Sequence, residues 1–119
     1  MKRSDALAAL TALAQDNRLD IFRLLVRAGR DGMSAGSIAS ALKIAPNTLT
    51  FHLDRLRDGG LATVQRQGRS MVYAARYDTM NGLLAYLAEN CCQGILEQCA
   101  SSERIKTPKI ALRRKELVS

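Results

Sequence analysis

Ala45-Pro46-Asn47-Thr48-Leu49-Thr50-Phe51-His52-Leu53-Asp54-Arg55-Leu56-Arg57-Asp58-Gly59-Gly60 is the stretch whose reading decides the fold. Leu49, Leu53 and Leu56 recur at i, i+4 and i+7, one apolar stripe of a helix, with Pro46 suited to its first turn and Gly59-Gly60 ending the run. One face is thereby committed to a core. At 100° per residue the opposite side carries Asn47, Thr48, Phe51 and Arg55, with Thr50 and Asp54 at its margins. Short hydroxyl and amide side chains near a helix start can hydrogen-bond base edges, an aromatic can meet a thymine methyl, and an arginine can reach phosphate or guanine. The same face could also be an ordinary solvated surface with one stray aromatic, so the flanking sequence has to decide.

Upstream, Asp5 to Ala14 places Leu7, Leu10 and Leu13 among alanines, a short helix whose small residues suit close packing and which reads as an interface arm. Asp16 is placed to cap the next helix, where Leu19, Ile21, Phe22, Leu24, Leu25 and Val26 leave little polar circumference before Gly29. That is the expected core helix. Asp31-Gly32 makes a turn, Ser34 can cap a short helix with Met33 and Ile38 as a staple, and Ile38, Ala39 and Leu42 face inward. Lys43 to Ala45 then leads tightly into the opening stretch, making a helix-turn-helix.

Downstream, Leu61 to Arg66 and Met71 to Arg76 are strand-like runs around Gln67-Gly68-Arg69-Ser70, a hairpin whose arginines Arg66 and Arg69 can reach a phosphate backbone. Hairpin after helix-turn-helix is the winged-helix order. Asp78 or Thr79 caps a last helix in which Met80, Leu83, Leu84 and Leu87 repeat at helical spacing and Cys91 continues the stripe. The fold class is therefore mainly α with a β-hairpin, a winged helix-turn-helix. Its first and last helices, through Leu7, Leu10, Leu13, Met80, Leu84 and Leu87, are expected to join two copies as a homodimer.

The chain of 119 residues, 47% hydrophobic, has the size of one domain. Residues 1–99 are read as the DNA-binding and dimerisation domain with a C-terminal thiol sensor segment, and residues 100–119 as a flexible basic tail. Formal charge is +7, but six of the 18 basic residues and one of the 11 acids follow Glu103, so the tail carries +5 and the rest +2. Bulk charge is thus weak evidence for nucleic-acid binding, and the local set Lys43, Arg55, Arg57, Arg66 and Arg69 matters more. No apolar run approaches the roughly 20 residues of a membrane span, so no membrane partner and a cytoplasmic location are expected. Cys91, Cys92 and Cys99 fall within nine residues. An odd number in such a chain argues against a disulfide framework and toward thiol chemistry or metal binding.

Over about residues 5 to 93 the sequence resembles the bacterial ArsR/SmtB family of metal-responsive winged-helix repressors. The matching stretches are Leu13-Ala14-Gln15-Asp16-Asn17-Arg18-Leu19-Asp20-Ile21-Phe22-Arg23-Leu24-Leu25, then Leu49 to Leu61, then the hairpin. The resemblance implies a homodimer that binds a double-stranded, pseudo-palindromic operator and leaves it when an inducer fills a sensor site. By position it assigns base reading to Asn47, Thr48, Thr50 and Phe51, with His52 at the edge of the packed face. With Arg55, Arg66 and Arg69 these form the expected DNA-binding set.

Two departures from the family are informative. Many relatives carry a C-V-C pair before the reading helix, where this chain has Ser37-Ile38-Ala39-Ser40-Ala41-Leu42; others use histidine on the last helix, and Asp78 to Gln93 has none. The remaining thiols look like the arsenite-responsive branch with sensing cysteines at the end of the last helix. Trivalent arsenic and antimony are soft, three-coordinate centres suited to three thiolates, whereas zinc wants a fourth ligand. Cys91, Cys92 and Cys99 are thus the expected metalloid site, with As(III) or Sb(III) as inducer and no organic cofactor. A straight helix would separate Cys92 from Cys99 by about 10.5 Å along its axis, so the chain must break, and Gly94 is the natural place. Cys99 either folds back, comes from the partner subunit, or is dispensable.

Other readings use the same residues differently. The thiols can be a redox or persulfide switch on the same regulator; they can be ordinary small core residues. A small thiol enzyme is poorly supported, since no histidine lies near the cysteines and no Cys-x-x-Cys occurs. A coat protein without sequence preference would show binding governed by salt alone. His52, the sole histidine, has no companion ligand nearby in sequence and reads as a packing or backbone-contacting residue rather than a metal ligand.

Overall fold

The computed structural model describes residues 1–89. Cys91, Cys92 and Cys99, the expected domain boundary at residue 99 and the basic tail lie outside the described residues. Among the described residues the elements run in the order α1 (Arg3–Leu13), α2 (Asp16–Ala28), β1 (Met33–Ser34), α3 (Ala35–Leu42), α4 (Pro46–Asp58), β2 (Ala62–Gln67), β3 (Ser70–Ala75) and α5 (Tyr77–Leu87). Met1–Tyr86 form one compact unit.

Its centre is α4. Pro46 stands in the first turn, where its missing N–H costs nothing, and Leu49, Leu53 and Leu56 are all buried. They meet Ile21, Phe22 and Leu25 of α2 and Ile38 of α3, so the apolar stripes of three helices close on one another. Leu19, expected in this core, is exposed instead. It falls two residues before Ile21, a step that turns it away from the buried stripe. Gln15, not Asp16, caps α2: its extended backbone lets its side chain accept from the Arg18 N–H at 3.0 Å, and Asp16 joins the first turn, where its charge suits the helix dipole. Ser34 caps α3 as its sequence position predicts, accepting from the Ser37 N–H at 3.1 Å.

α1 packs through its small residues, the face the sequence marked for close packing. Ala6, Ala9 and Ala12 are its buried residues, Leu7 and Leu10 are exposed, and Leu13 is half-buried against the core. The reason is the closeness of α1 to the end of α4. A Cβ placed on Gly59 would stand 2.7 Å from the Ala12 Cβ and 3.0 Å from the Ala8 carbonyl oxygen. Two helices approaching this tightly can bury alanines between them and not leucines.

β2 and β3 pair antiparallel from Ala62↔Ala75 to Gln67↔Ser70, leaving a two-residue turn whose Gly68 takes a positive φ of 63°. The strand spans differ by one residue from those read in the sequence. β1 adds a short third strand, Met33 opposite Tyr73 and Ser34 opposite Val72, to give the order β1-β3-β2. Ala62, Tyr73 and Ala75 bury the inner face of this sheet. α5 begins at Tyr77, ahead of the caps expected at Asp78 or Thr79, and the Tyr77 hydroxyl donates to the Val26 carbonyl at 3.0 Å, tying α5 to the end of α2.

Among the described residues one polar side chain, His52, sits in the core. His52 is 6% exposed; the Asn17 amide nitrogen lies 3.5 Å from its Nε2, and its other ring nitrogen is Nδ1. That nitrogen has no partner among the described residues. Burial first, and then the Arg18 charge, push the His52 pKa below its ordinary value.

Two outcomes follow from this packing. Gly59→Ala should cost roughly 1–3 kcal/mol in urea unfolding, because α1 or α4 must move to admit the methyl. His52 is the only histidine, and its folded pKa is depressed, so the unfolded chain takes up the proton first. The stability due to neutral His52 is therefore fully present above about pH 6.5 and falls as pH drops below that value. His52→Gln should flatten unfolding free energy against pH between 7.5 and 5; an unchanged acid slope would contradict the assignment.

Candidate nucleic-acid interface

With Leu49, Leu53 and Leu56 inward, α4 turns Asn47, Thr48, Thr50, Phe51 and Arg55 outward, and all five are exposed. His52, grouped with them by position, does not belong there. Its ring is buried on the α2 side of α4, and in that place it has no face to offer a duplex.

The outward side chains are partly fixed by contacts within their own helix. The Thr50 hydroxyl donates to the Pro46 carbonyl at 3.0 Å, so what it presents outward is acceptor capacity. The Arg55 guanidinium carbon stands 5.1 Å from the centroid of the Phe51 ring, and Arg55 Nη1 is 3.6 Å from the Asp58 carboxylate. Arg57 pairs with Asp54 at the same distance. Exposed i,i+3 pairs of this kind contribute little stability, but they restrict where each guanidinium points. A phosphate can displace either carboxylate at small cost.

The wing presents Arg66 and Arg69, both exposed. Arg66 follows Ala62 and Val64 on the inner face of β2, beyond the point where that face is covered, and its Nε donates to the Gly68 carbonyl at 3.2 Å. The turn is thus braced by one of the charges it displays. Arg69 occupies the turn itself and forms no ion pair among the described residues.

Lys43, read in the sequence as a local positive charge at the start of the tight connection, is the pivot of the helix-turn-helix. It caps α3 in the left-handed conformation, φ 56° and ψ 47°, with its N–H bonded to the Ala39 carbonyl. Glycine or asparagine would have signalled that conformation; lysine gives no hint of it.

The residues expected to join two copies divide. Leu7 and Leu10 on α1 and Leu84 and Leu87 on α5 are exposed, Leu7 at 52% and Leu84 at 58%. Leu13 and Met80 are half-buried and packed against the core, and Leu83 rather than Leu84 is the buried leucine of α5. Among the described residues no three histidine, cysteine, aspartate or glutamate side chains gather as a metal site, and no helix is long and apolar enough to cross a membrane.

A family model described as a helix-turn-helix domain matches residues 13–65. The Escherichia coli (strain K12) HTH-type transcriptional regulator YgaV is 31% identical over 87 residues, covering 73% of this chain and 86% of that protein. Among solved structures, an ArsR-like transcriptional regulator from Rhodococcus sp. RHA1 is 25% identical, with a TM-score of 0.64 over 86% of this chain and 92% of the other. A homodimeric winged helix-turn-helix DNA-binding domain from Mycobacterium bovis superposes with a TM-score of 0.61 at 23% identity, covering 87% of this chain and 84% of the other, a likeness of fold. These relatives are regulators with a DNA-binding fold and not enzymes. The chain belongs to the helix-turn-helix transcriptional regulators, with a winged DNA-binding fold of the ArsR type.

Proposed function

We propose that the protein is a homodimeric repressor that holds operator DNA and releases it when trivalent arsenic or antimony binds Cys91, Cys92 and Cys99. The observation that carries the DNA half is the outward face of α4, where Asn47, Thr48, Phe51 and Arg55 stand exposed on a helix whose other face is fully buried. Arg66 and Arg69 on the wing supply phosphate contacts beside it. The exposed leucines of α1 and α5 support the second copy, since apolar side chains of this size are costly to leave in water. Two copies would place two α4 helices in successive major grooves, about one helical turn apart.

The sensing half rests on the donor set in the sequence. Three thiols and arsenous acid form three S–As bonds and break three As–O bonds, the thiol protons leaving with the oxygens as three waters. The product is neutral, and soft thiolates hold arsenic better than water can. Binding of the metalloid acts on DNA affinity only so far as it favours one dimer geometry over another.

The test is a titration of the protein on the DNA upstream of its own coding sequence, with and without arsenite or antimonite. Arsenite should weaken binding by at least about fivefold, the low end of ordinary allosteric coupling. Cys92→Ser should bind DNA as the wild type does and lose that response. Arsenite without effect on the wild type would reject the sensor, and release by peroxide alone, with intact mass two units lower, would replace it with a thiol redox switch. Arg66→Ala and Arg69→Ala should each weaken binding to all duplexes alike and reduce the salt slope by about one. Leu7→Glu combined with Leu84→Glu should give monomers in sedimentation velocity and lose most operator affinity.

A further inference from the structure

Phe51 is the anomaly of the outward face. It is 52% exposed on a surface otherwise made of amide, hydroxyl and guanidinium groups, and burying it elsewhere would have been favourable. It lies one turn after Asn47 and Thr48 and one turn before Arg55, so the four share a single stripe of α4. Its ring is held from two sides. The Arg55 guanidinium sits over it at 5.1 Å, and the buried His52 ring meets it edge-on at 5.6 Å with an interplanar angle of 63°. An exposed phenylalanine held in this way has already lost part of the freedom that binding would otherwise remove.

The floor of the major groove is almost entirely polar, a pattern of donors and acceptors. Its one apolar projection among the four bases is the thymine C5-methyl group. Phe51 is the sixth residue of α4, within the N-terminal half that such helices present to base edges. We propose that Phe51 is a specificity-determining residue that reads a thymine in each half-site through its 5-methyl group, with Arg55 holding the ring in place. This rests on the assignment of α4 as the reading helix and adds what one of its side chains recognises.

The test starts from random DNA, so the operator sequence need not be in hand. The full-length dimer is used to select its best duplex from a random-sequence pool, and each thymine of that duplex is then replaced singly by deoxyuridine, which removes only the methyl. The expected result is one thymine per half-site at which the wild type loses about fourfold in affinity, the size of one buried methyl group. Phe51→Ala should bind the parent duplex more weakly by a similar factor and be indifferent to deoxyuridine at that position. Arg55→Ala should retain a reduced penalty there. Circular dichroism and the thermal midpoint of Phe51→Ala should match the wild type, since the ring lies outside the core. Wild-type binding within twofold for every deoxyuridine duplex overturns the proposal, as does a penalty that persists in full in Phe51→Ala. Recovery of no preferred sequence overturns the reading-helix assignment itself, and so the two failures are distinguishable.

Discussion

What α4 can offer a duplex depends on how firmly its other face is held. Leu49, Leu53 and Leu56 are at most 1% exposed, and each contributes on the order of 2–5 kcal/mol against truncation to alanine. Because those three positions fix the rotation of the helix about its axis, they also fix the direction of Asn47, Thr48, Phe51 and Arg55. A rotation of even half a residue, about 50°, would expose a leucine and bury an arginine. The core of this small protein is therefore also its aiming device.

His52 belongs to the same arrangement from the other side. A leucine in its place would remove an unpartnered nitrogen, so the histidine weakens a core that is otherwise apolar. Its ring also meets Phe51 edge-on and faces Asn17 of α2. It stands between the start of α2 and the exposed aromatic of α4, and ring geometry there bears on both. The sequence placed His52 at the margin of the packed face, and a margin is the position that a helical wheel resolves least well.

Legibility differed from element to element for physical reasons. α4 could be read because its leucine spacing, proline start and glycine stop all point to one helix in one rotation. The hairpin could be read because Gly68 satisfies a turn that few other residues can make. α1 could be read as an arm with a small-residue face, but alanines at 6, 9 and 12 and leucines at 7, 10 and 13 have the same period, so spacing alone does not say which neighbour each face meets. Only the close approach at Gly59, a long-range contact, decides for the alanines. β1 is two residues long and owes its existence to the edge of β3, so no local pattern announces it. The outward set on α4 followed from the rotation of the helix, whereas the stacking of Arg55 on Phe51 required side-chain geometry.

That same approach makes α1 a stiff connector. Where its alanine face meets Gly59 at the end of α4 the nearest atoms are the Ala12 Cβ and the Ala8 backbone, and its opposite face exposes Leu7 and Leu10. Long side chains between two helices can absorb a shift by changing rotamer; a contact between Ala12, the Ala8 carbonyl and Gly59 has no rotamers to change. A displacement applied to the leucine face of α1 would therefore be passed to the end of α4 with little loss. If the proposed dimer forms through α1, a rearrangement that moves α1 would also re-aim the helix proposed to meet DNA.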